Sequence, residues 1–325
     1  MPSLDHPLVS IVTPAYNEEQ HLEECLKSVL AQTHPHWECT IVNNCSTDKT
    51  RAIAERFAAV DSRFHVVSRN TLLPALANFN AALRQIPASS KYCKIILADD
   101  WMFPECLERM VKLMEAHPSV GIVGAYGLEG QWILWEGLPY PSDVISGREI
   151  CRQRLLGGPY VFGSPSSVLF RADWVRNRDP FYNESNLQAD SEVCFELLKN
   201  CDFGFVHQVL TFSRDHRPEA RLEASRDLNT AAAGMLHELI CFGPHYLSPE
   251  EYQACLKATL AKYYDFLSTS VFLGRDKKFW EYHRMKMKQE GVEFRYSRLA
   301  FWVAKKVLRR LRPASSAPRT PQWGL

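Results

Sequence analysis

Residues 8–19 have the sequence LVSIVTPAYNEE, and the fold class follows from this stretch and its repetition along the chain. Residues 8–13 are an apolar, β-branched run that ends at Pro14, which predicts a buried strand. Residues 19–31 carry apolar side chains at helical spacing and predict a helix. Further strands are predicted at residues 39–42, 64–67 and 94–97, with helices between them. Ser46 or Thr47 can cap the first of these helices, and another is predicted at residues 75–83. This alternation predicts a mostly parallel sheet flanked by helices.

Polar residues directly follow three of the predicted strands: residues 14–17, Asn43-Asn44 and Asp99-Asp100. In open α/β sheets, ligands collect at the carboxyl ends of the strands. Two adjacent carboxylates there repel each other, and a divalent cation such as Mg²⁺ or Mn²⁺ relieves that repulsion. The alternative is that Asp100 caps the helix after Pro104, or that both carboxylates are solvated in a turn. The position after a central strand favours the metal site.

Composition and charge exclude several classes of protein. The net charge of +1 gives no overall attraction to nucleic acid. The ten cysteines are scattered and form no CxxC motif, so their spacing does not indicate a zinc site. This pattern is instead typical of a protein in a reducing compartment. The N-terminus lacks a signal-peptide pattern, and no apolar run reaches the ~18 residues that span a bilayer. We therefore expect a cytoplasmic protein that is soluble or lies on a membrane surface.

The second half of the chain changes in character near residue 220. Before it, helices are predicted at residues 106–116 and 187–198, and strands at residues 120–123 and 204–212. After it, long helical patterns continue without a convincing strand. The sequence thus predicts an α/β domain over residues 1–220 and a helical region over residues 221–312. The tail, residues 313–325, is rich in Pro and Ser and is predicted to be disordered.

Three segments in this order resemble glycosyltransferase family 2, the inverting enzymes with the GT-A fold: SIVTPAYNEEQHLEECLKSVLAQT (10–33), TIVNNCSTDKT (40–50) and ILADDWMFPECL (96–107). The resemblance covers about residues 8–216. It implies the GT-A nucleotide-diphospho-sugar transferase fold and transfer of a sugar from a nucleotide-diphosphate donor to a hydroxyl group. It also implies Mn²⁺ or Mg²⁺ as cofactor, a glycan or lipid-linked acceptor, and a role in the synthesis of cell-surface polysaccharide or glycolipid.

The resemblance also implies roles for the polar residues after the strands. Asp100 would bind the metal ion and Asp99 would contact the nucleotide sugar. Ala98 stands where many members have a further Asp, which predicts a metal site with fewer carboxylates.

Residues 14–18 resemble the first nucleotide loop of the family, so that Pro14, Tyr16 and Glu18 are expected to bind the nucleotide sugar. The aromatic face of Tyr16 suits stacking on a base; the alternative is a Tyr packed after a strand-end Pro. Asn43-Asn44 stands where many members have Asp-Asp. The amide of Asn44 can donate to and accept from the edge of a base, although the negative charge is lost.

By the same resemblance, Asp190 in the sequence LQADSEVCFELL corresponds to the acidic residue that deprotonates the acceptor hydroxyl, and it is expected to be the general base. The alternative is a helix N-cap, the usual role of an Asp that starts a helix. Arg214 is expected to neutralise the leaving group. By the resemblance, His216 completes the metal shell or contacts the diphosphate; alternatively it is structural.

Residues 295–312 contain seven Lys and Arg and no acid, interleaved with apolar residues. This pattern is typical of a basic amphipathic helix, and two interpretations remain open. The helix either lies on the inner face of a membrane as a peripheral contact or packs on the protein with its cations solvated.

Three other functions require different features of the sequence. A nucleotidyltransferase would carry a Gly-rich, basic phosphate loop after the first strand, and residues 13–19, TPAYNEE, are not one. A dinucleotide oxidoreductase would have GxGxxG at the first helix, which is missing. A non-catalytic, glycan-binding or scaffolding relative remains, because Asn43-Asn44 and Ala98 depart from the family pattern.

Overall fold

The computed structural model describes residues 6–140, 142–214 and 228–311. Residue contacts divide the chain into two compact units. The first comprises Met1–Arg221 and Phe242–Ser248, and the second Leu222–Cys241 and Pro249–Leu325. The predicted domain boundary near residue 220 and the predicted disordered tail, residues 313–325, both lie outside the described residues.

The first unit is built on a sheet in which the order is β3-β2-β1-β4-β9-β6-β10-β5, with β7 paired to β6 and β8 to β10. The strands are β1 (Val9–Ala15), β2 (Trp37–Asn43), β3 (Phe64–Ser68), β4 (Tyr92–Ile95), β5 (Trp101–Met102), β6 (Val120–Glu129), β7 (Trp132–Leu134), β8 (Val144–Ser146), β9 (Leu169–Arg171) and β10 (Asp202–Ser213). Strands β1 to β4 pair in parallel, as predicted.

The sheet is mostly parallel, as predicted: the six longer strands run in one direction, and four short strands run against them. Strand β9 is antiparallel to both β4 and β6, and β5, β7 and β8 are antiparallel to their neighbours. These four strands contain two or three residues each, and so carry too little periodicity to be predicted. The α/β class with helices on the sheet is confirmed, and the antiparallel strands are an addition to it.

Helices cover the sheet and continue into the second unit. They are α1 (Leu22–Leu30), α2 (Thr50–Val60), α3 (Ala75–Leu83), α4 (Cys106–Ala116), α5 (Gly147–Leu155), α6 (Ala172–Arg176), α7 (Ala189–Leu197), α8 (Ala231–Tyr246), α9 (Pro249–Phe272), α10 (Lys277–Gln289) and α11 (Tyr296–Leu311). The predicted bounds of α3 and α4 match those observed.

Two hydrophobic clusters form the core of the first unit. Successive side chains of a strand point to opposite faces, so that Ile11 joins one cluster and Val12 the other. Ile41 and Val42 divide in the same way on β2. Both faces of the sheet are therefore buried, which accounts for the continuous apolar runs of β1 and β2.

The start of α2 differs from the prediction. Ser46 or Thr47 was expected to cap this helix, but α2 begins at Thr50 and its N-cap position makes no side-chain cap. Asp48 Oδ1 accepts the Thr50 N–H at 2.9 Å instead. Ser46 and Thr47 bond Asn17 on the neighbouring loop, a contact that the local sequence could not reveal.

The second unit is helical over the part of it that the structure describes. Its core combines α8, α9 and α10, with Leu236, Tyr263, Leu267, Phe279 and Met287 fully or almost fully buried. Across the described ranges, no helix combines the length and the apolar character that crossing a membrane requires.

Candidate active site

The loops after β1 and β2 lie side by side because these strands pair in parallel, with Ala15 opposite Asn43. The Asn17 N–H donates to Ser46 Oγ at 3.0 Å, and Asn17 Oδ1 accepts the Thr47 N–H at 2.8 Å. Asn17 has a φ of 55°, in the left-handed region that Asn tolerates better than most residues. The first loop is thus fixed to the second by both the backbone and the side chain of Asn17.

The same pair of loops has further bonds that hold the predicted nucleotide residues. The Glu18 N–H donates to Thr50 Oγ1 at 2.7 Å, and the Glu19 N–H donates to Asp48 Oδ2 at 3.0 Å. Pro14 is buried within β1, whereas Tyr16 is 45% exposed. The Tyr16 ring therefore offers an accessible aromatic surface on a loop whose backbone is held in place.

Asn44 is buried, and its amide bonds the backbone of a distant loop. Its Nδ2 donates to the Leu73 carbonyl at 2.9 Å, and its Oδ1 accepts the Leu73 N–H at 3.0 Å. The Asn44 N–H donates to the Ala15 carbonyl at 2.9 Å. Asn44 therefore joins three segments of the unit. Its predicted contact with a base stays a prediction, and the structure adds this positioning role to it.

Asp99 and Asp100 form the turn between β4 and β5. The Asp100 N–H donates to the Leu97 carbonyl at 3.0 Å, and the Asp100 side chain is only 4% exposed. Strand β5 pairs with β10, so that this turn lies beside Ser213 and Arg214. Asp100 Oδ1 accepts the Arg214 N–H at 3.2 Å, and Ser213 Oγ lies 3.5 Å from Oδ2.

The Arg214 side chain also contacts this turn. Its Nε donates to the Asp99 carbonyl at 3.4 Å, and its guanidinium forms an ion pair with Glu24 on α1. Asp99, Asp100 and Arg214, predicted separately from sequence, are thus brought together. His216, the predicted second metal ligand, lies outside the described residues.

A buried lysine stabilises the segment that holds the residues before the Asp99-Asp100 turn. Lys94 on β4 has no exposed surface and donates to the carbonyls of Ser166 and Val168. Burial lowers the pKa of Lys94. Ser166 Oγ in turn accepts the Leu97 N–H at 3.1 Å, two residues before Asp99. No sequence motif points to Lys94, because a Lys in an apolar strand has no recognisable spacing or neighbours.

Asp190 is positioned by a different element, the first turn of α7. Its Oδ1 accepts the Ser191 N–H at 2.9 Å. The segment that leads to α7 is fixed by Asn80, whose amide donates to the Tyr182 carbonyl and accepts the Tyr182 N–H, both at 2.8 Å. Burial, with the nearby Asp190 charge as a smaller cause, raises the pKa of Tyr182. Asp190 thus lies close to a buried tyrosine, and its role as a base stays a prediction.

Comparisons with known proteins agree on one family. The family model described as glycosyl transferase family 2 matches residues 10–178. The putative teichuronic acid biosynthesis glycosyltransferase TuaG of Bacillus subtilis is 37% identical over 125 residues, which are 38% of this chain and 49% of that protein. The putative glycosyltransferase EpsE of the same organism is 30% identical over 158 residues, 46% of this chain and 56% of its own. The chain spans about half the length of these curated relatives.

Solved structures show the same fold. A Staphylococcus aureus TarS fragment, residues 1–349, superposes with a TM-score of 0.64 at 17% identity, covering 94% of this chain and 93% of that one. The mannosyltransferase PcManGT of Pyrobaculum calidifontis, solved with GDP-Man and Mn²⁺, gives a TM-score of 0.53 at 17% identity, covering 94% and 88%. TarS has also been solved with UDP and with UDP-GlcNAc.

Proposed function

Because the chain belongs to glycosyltransferase family 2, we propose that it transfers a sugar from a nucleotide-diphosphate donor to an acceptor hydroxyl, with inversion at the anomeric carbon. The observation that carries this proposal is the turn at Asp99 and Asp100: the Asp100 carboxylate accepts the Arg214 N–H, and the Arg214 side chain donates to the Asp99 carbonyl. This arrangement suits a diphosphate and a divalent cation. The acceptor class that we propose is a glycan or a lipid-linked glycan, in the synthesis of cell-surface polysaccharide or glycolipid.

The donor site that we propose lies on the loops after β1 and β2. Tyr16 would stack on the base, because its ring is accessible and its loop is held by the bonds of Asn17 and Glu18. Asn44 would shape this site by holding residues 44, 15 and 73 together. The neighbours solved with UDP, UDP-GlcNAc and GDP-Man support a nucleotide-sugar donor as a class.

The residues at the turn fit a hard divalent cation such as Mn²⁺ or Mg²⁺. Carboxylate oxygens are the ligands that these ions prefer, and each oxygen has two lone pairs. Asp100 can therefore accept the Arg214 N–H and also bind a cation. When bound, the ion offsets the charge that develops on the departing diphosphate. Arg214 would contribute to the same end from the protein side, and His216 remains a proposed second ligand.

Asp190 would act as the general base. In the proposed reaction, Asp190 accepts the proton of the acceptor hydroxyl while the oxygen forms a bond to the anomeric carbon. The bond between that carbon and the diphosphate oxygen breaks, and the nucleoside diphosphate leaves with the electron pair. Such a base contributes typically ~10²- to 10⁴-fold to the rate.

A screen of nucleotide sugars tests this function. Purified protein is incubated with each donor, with Mn²⁺ or Mg²⁺, and with soluble or lipid-linked glycans, and the released nucleoside diphosphate is measured. We expect release with one donor, dependent on the metal and stimulated by one acceptor. A donor that binds without turnover under any acceptor would instead support the non-catalytic, glycan-binding alternative. Release of sugar 1-phosphate instead of the nucleoside diphosphate would support a nucleotidyltransferase, because transfer of the nucleotidyl group breaks the bond at the α-phosphate.

We also propose that α11 contacts the inner face of a membrane. Phe301 and Leu308, seven residues apart and therefore on one face of this helix, are 61% and 63% exposed, whereas Leu299 and Trp302 pack on the core of the second unit. The helix therefore uses one face for packing and leaves an apolar face open. Lys and Arg side chains flank that face, which suits an anionic surface.

A further inference from the structure

Three side chains of metal-binding type lie together in the second unit: His237, Cys241 and Glu290. Their ligand atoms all lie within 4.8 Å of one another. His237 Nδ1 is 2.8 Å from Glu290 Oε1 and 3.5 Å from Cys241 Sγ. Cys241 Sγ is 4.0 Å from Glu290 Oε2. This cluster plays no part in the proposed transfer reaction.

The backbone explains why these side chains meet. His237 and Cys241 are four residues apart on α8 and therefore project from the same face of the helix. Glu290 follows the last turn of α10. Gly291, with a φ of 70°, ends that helix, and the Val292 N–H donates back to the Met287 carbonyl at 2.8 Å. This helix-ending motif fixes the direction in which Glu290 leaves α10.

The electrostatics of this position favour a cation. A helix C-terminus carries partial negative charge, so that an acidic residue there is unfavourable unless positive charge lies close to it. Glu290 occupies such a position, and the His237 imidazole lies within ion-pair distance of its carboxylate. A protonated imidazole would supply one positive charge, and a divalent ion would supply two.

The ligand types suit tetrahedral zinc, and the distances between the ligand atoms lie around those that it requires. Bonds of about 2.0–2.3 Å from Zn²⁺ to nitrogen, oxygen and sulfur place tetrahedral ligand atoms about 3.3–3.7 Å apart. The three observed separations, 2.8, 3.5 and 4.0 Å, lie on both sides of that range. Thiolate and imidazole ligands select zinc over magnesium or manganese. Cys241 is exposed, which leaves a route for the ion and room for a water ligand.

We propose that His237, Cys241 and Glu290 bind a Zn²⁺ ion, with water in the fourth position. The ion joins α8 to the C-terminal end of α10 and stabilises the second unit. The competing arrangement is an ion pair between His237 and Glu290 with a neutral Cys241 thiol beside it, which needs no metal.

Cobalt spectroscopy on the full-length protein tests this site. After chelator treatment, the protein is titrated with Co²⁺ under reducing conditions. We expect a near-ultraviolet charge-transfer band from thiolate to cobalt, and its loss when Zn²⁺ is added, because zinc binds such sites more tightly than cobalt. We also expect Zn²⁺ to raise the unfolding temperature of the second unit. A wild-type protein without the thiolate band would overturn the proposal.

Three variants assign the band to these ligands. Cys241→Ser should abolish it, and Glu290→Gln should weaken Co²⁺ binding while keeping an oxygen that accepts from His237. Cys255→Ser, a cysteine on α9 in the same unit, should leave it unchanged. Asp100→Asn should also leave it unchanged, because Asp100 is not one of the three proposed ligands. A band that persists in Cys241→Ser, or that disappears in Cys255→Ser, would show that another cysteine binds the metal.

Discussion

At the residue scale, two buried Asn side chains of the first unit form hydrogen bonds with the backbone of distant residues, as a neighbouring strand would. Asn44 and Asn80 each donate to the carbonyl and accept the N–H of one residue, Leu73 and Tyr182 respectively. The sequence predicted a polar contact for Asn44 but not its partner. An amide can bond a base edge or a peptide group equally well, and the peptide is 29 residues away. Only the folded chain distinguishes these two partners.

Asn44→Asp tests that pairing. A carboxylate cannot donate to the Leu73 carbonyl, so two acceptor oxygens would face each other at a buried site. We expect the free energy of unfolding to fall by about 1–3 kcal/mol, measured by chemical denaturation. Asn43→Asp is the matched control, because its carboxylate still accepts the Ser46 N–H and can accept from the Ser68 hydroxyl, to which Asn43 Nδ2 donates in the wild type. Equal stability of the two variants would contradict the role assigned to Asn44.

Asp100→Asn tests the proposed metal ligand. Its remaining oxygen can still accept the Arg214 N–H, so that the turn and the fold should persist while the negative charge is lost. We expect nucleoside diphosphate release to fall on the order of 10²-fold or more, with an unchanged melting temperature. If the wild type were as active in EDTA as in Mn²⁺, the metal role would be excluded.

Asp190→Asn tests the proposed base. The amide keeps the acceptor for the Ser191 N–H and so preserves the start of α7, but it cannot take a proton. We expect kcat to fall by ~10²- to 10⁴-fold while the donor dissociation constant stays nearly constant. A variant with weak donor binding and normal turnover at saturation would identify Asp190 as a binding residue.

At the element scale, the sequence predicted what hydrophobic periodicity specifies and missed what tertiary pairing specifies. The helices at residues 75–83 and 106–116 were predicted with their observed bounds, because each has a continuous apolar stripe. Strand β5 has two residues and exists because β10 pairs with it. That short strand nevertheless brings Asp100 to Ser213 and Arg214, so the missed element is the one that assembles the site.

The exposed face of α11 gives a prediction for this helix alone. Truncation before residue 296 would also remove Leu299 and Trp302 from the core of the second unit, so substitutions discriminate better. Phe301→Ser combined with Leu308→Ser should release the protein from anionic vesicles while leaving its melting temperature unchanged. Each cation near such a surface contributes about 1 kcal/mol, so moderate salt should also release it.

The control for this experiment is Val60→Ser, an apolar side chain on α2 that is 84% exposed. It should leave vesicle binding unchanged. A wild-type protein that does not sediment with anionic vesicles at low salt would instead support a helix that only packs on α9, where Lys306 already pairs with Asp265.

At the scale of the whole molecule, the order of the motifs predicted the family and the fold, but not the cluster at His237. The motifs of residues 10–107 follow one another closely, and the comparisons confirm what they implied about the family. His237 and Glu290 are 53 residues apart and belong to no recognisable spacing. Only the packing of α8 against the end of α10 brings them together.

The two units have separate hydrophobic cores, and this predicts two unfolding transitions in calorimetry. Acid should act on one of them through His283, which is fully buried in the second unit. Its Nδ1 lies 2.7 Å from the Tyr263 hydroxyl and its Nε2 2.8 Å from the Leu228 carbonyl. Burial lowers the pKa of His283 from 6.5 to about 4.

Because burial lowers the pKa of His283, acid destabilises the second unit. The unfolded chain binds the His283 proton more readily than the folded unit, so stability is complete above pH 6.5 and is lost as the pH falls toward 4. We expect a loss of about 3 kcal/mol for the second unit by pH 4 from this group. His283→Gln, which can still donate and accept at this position, should remove that part of the pH dependence.

Adding Mn²⁺ with the nucleoside diphosphate of the active donor should raise only the unfolding temperature of the first unit. A single transition that shifts with both treatments would show that the two cores unfold together.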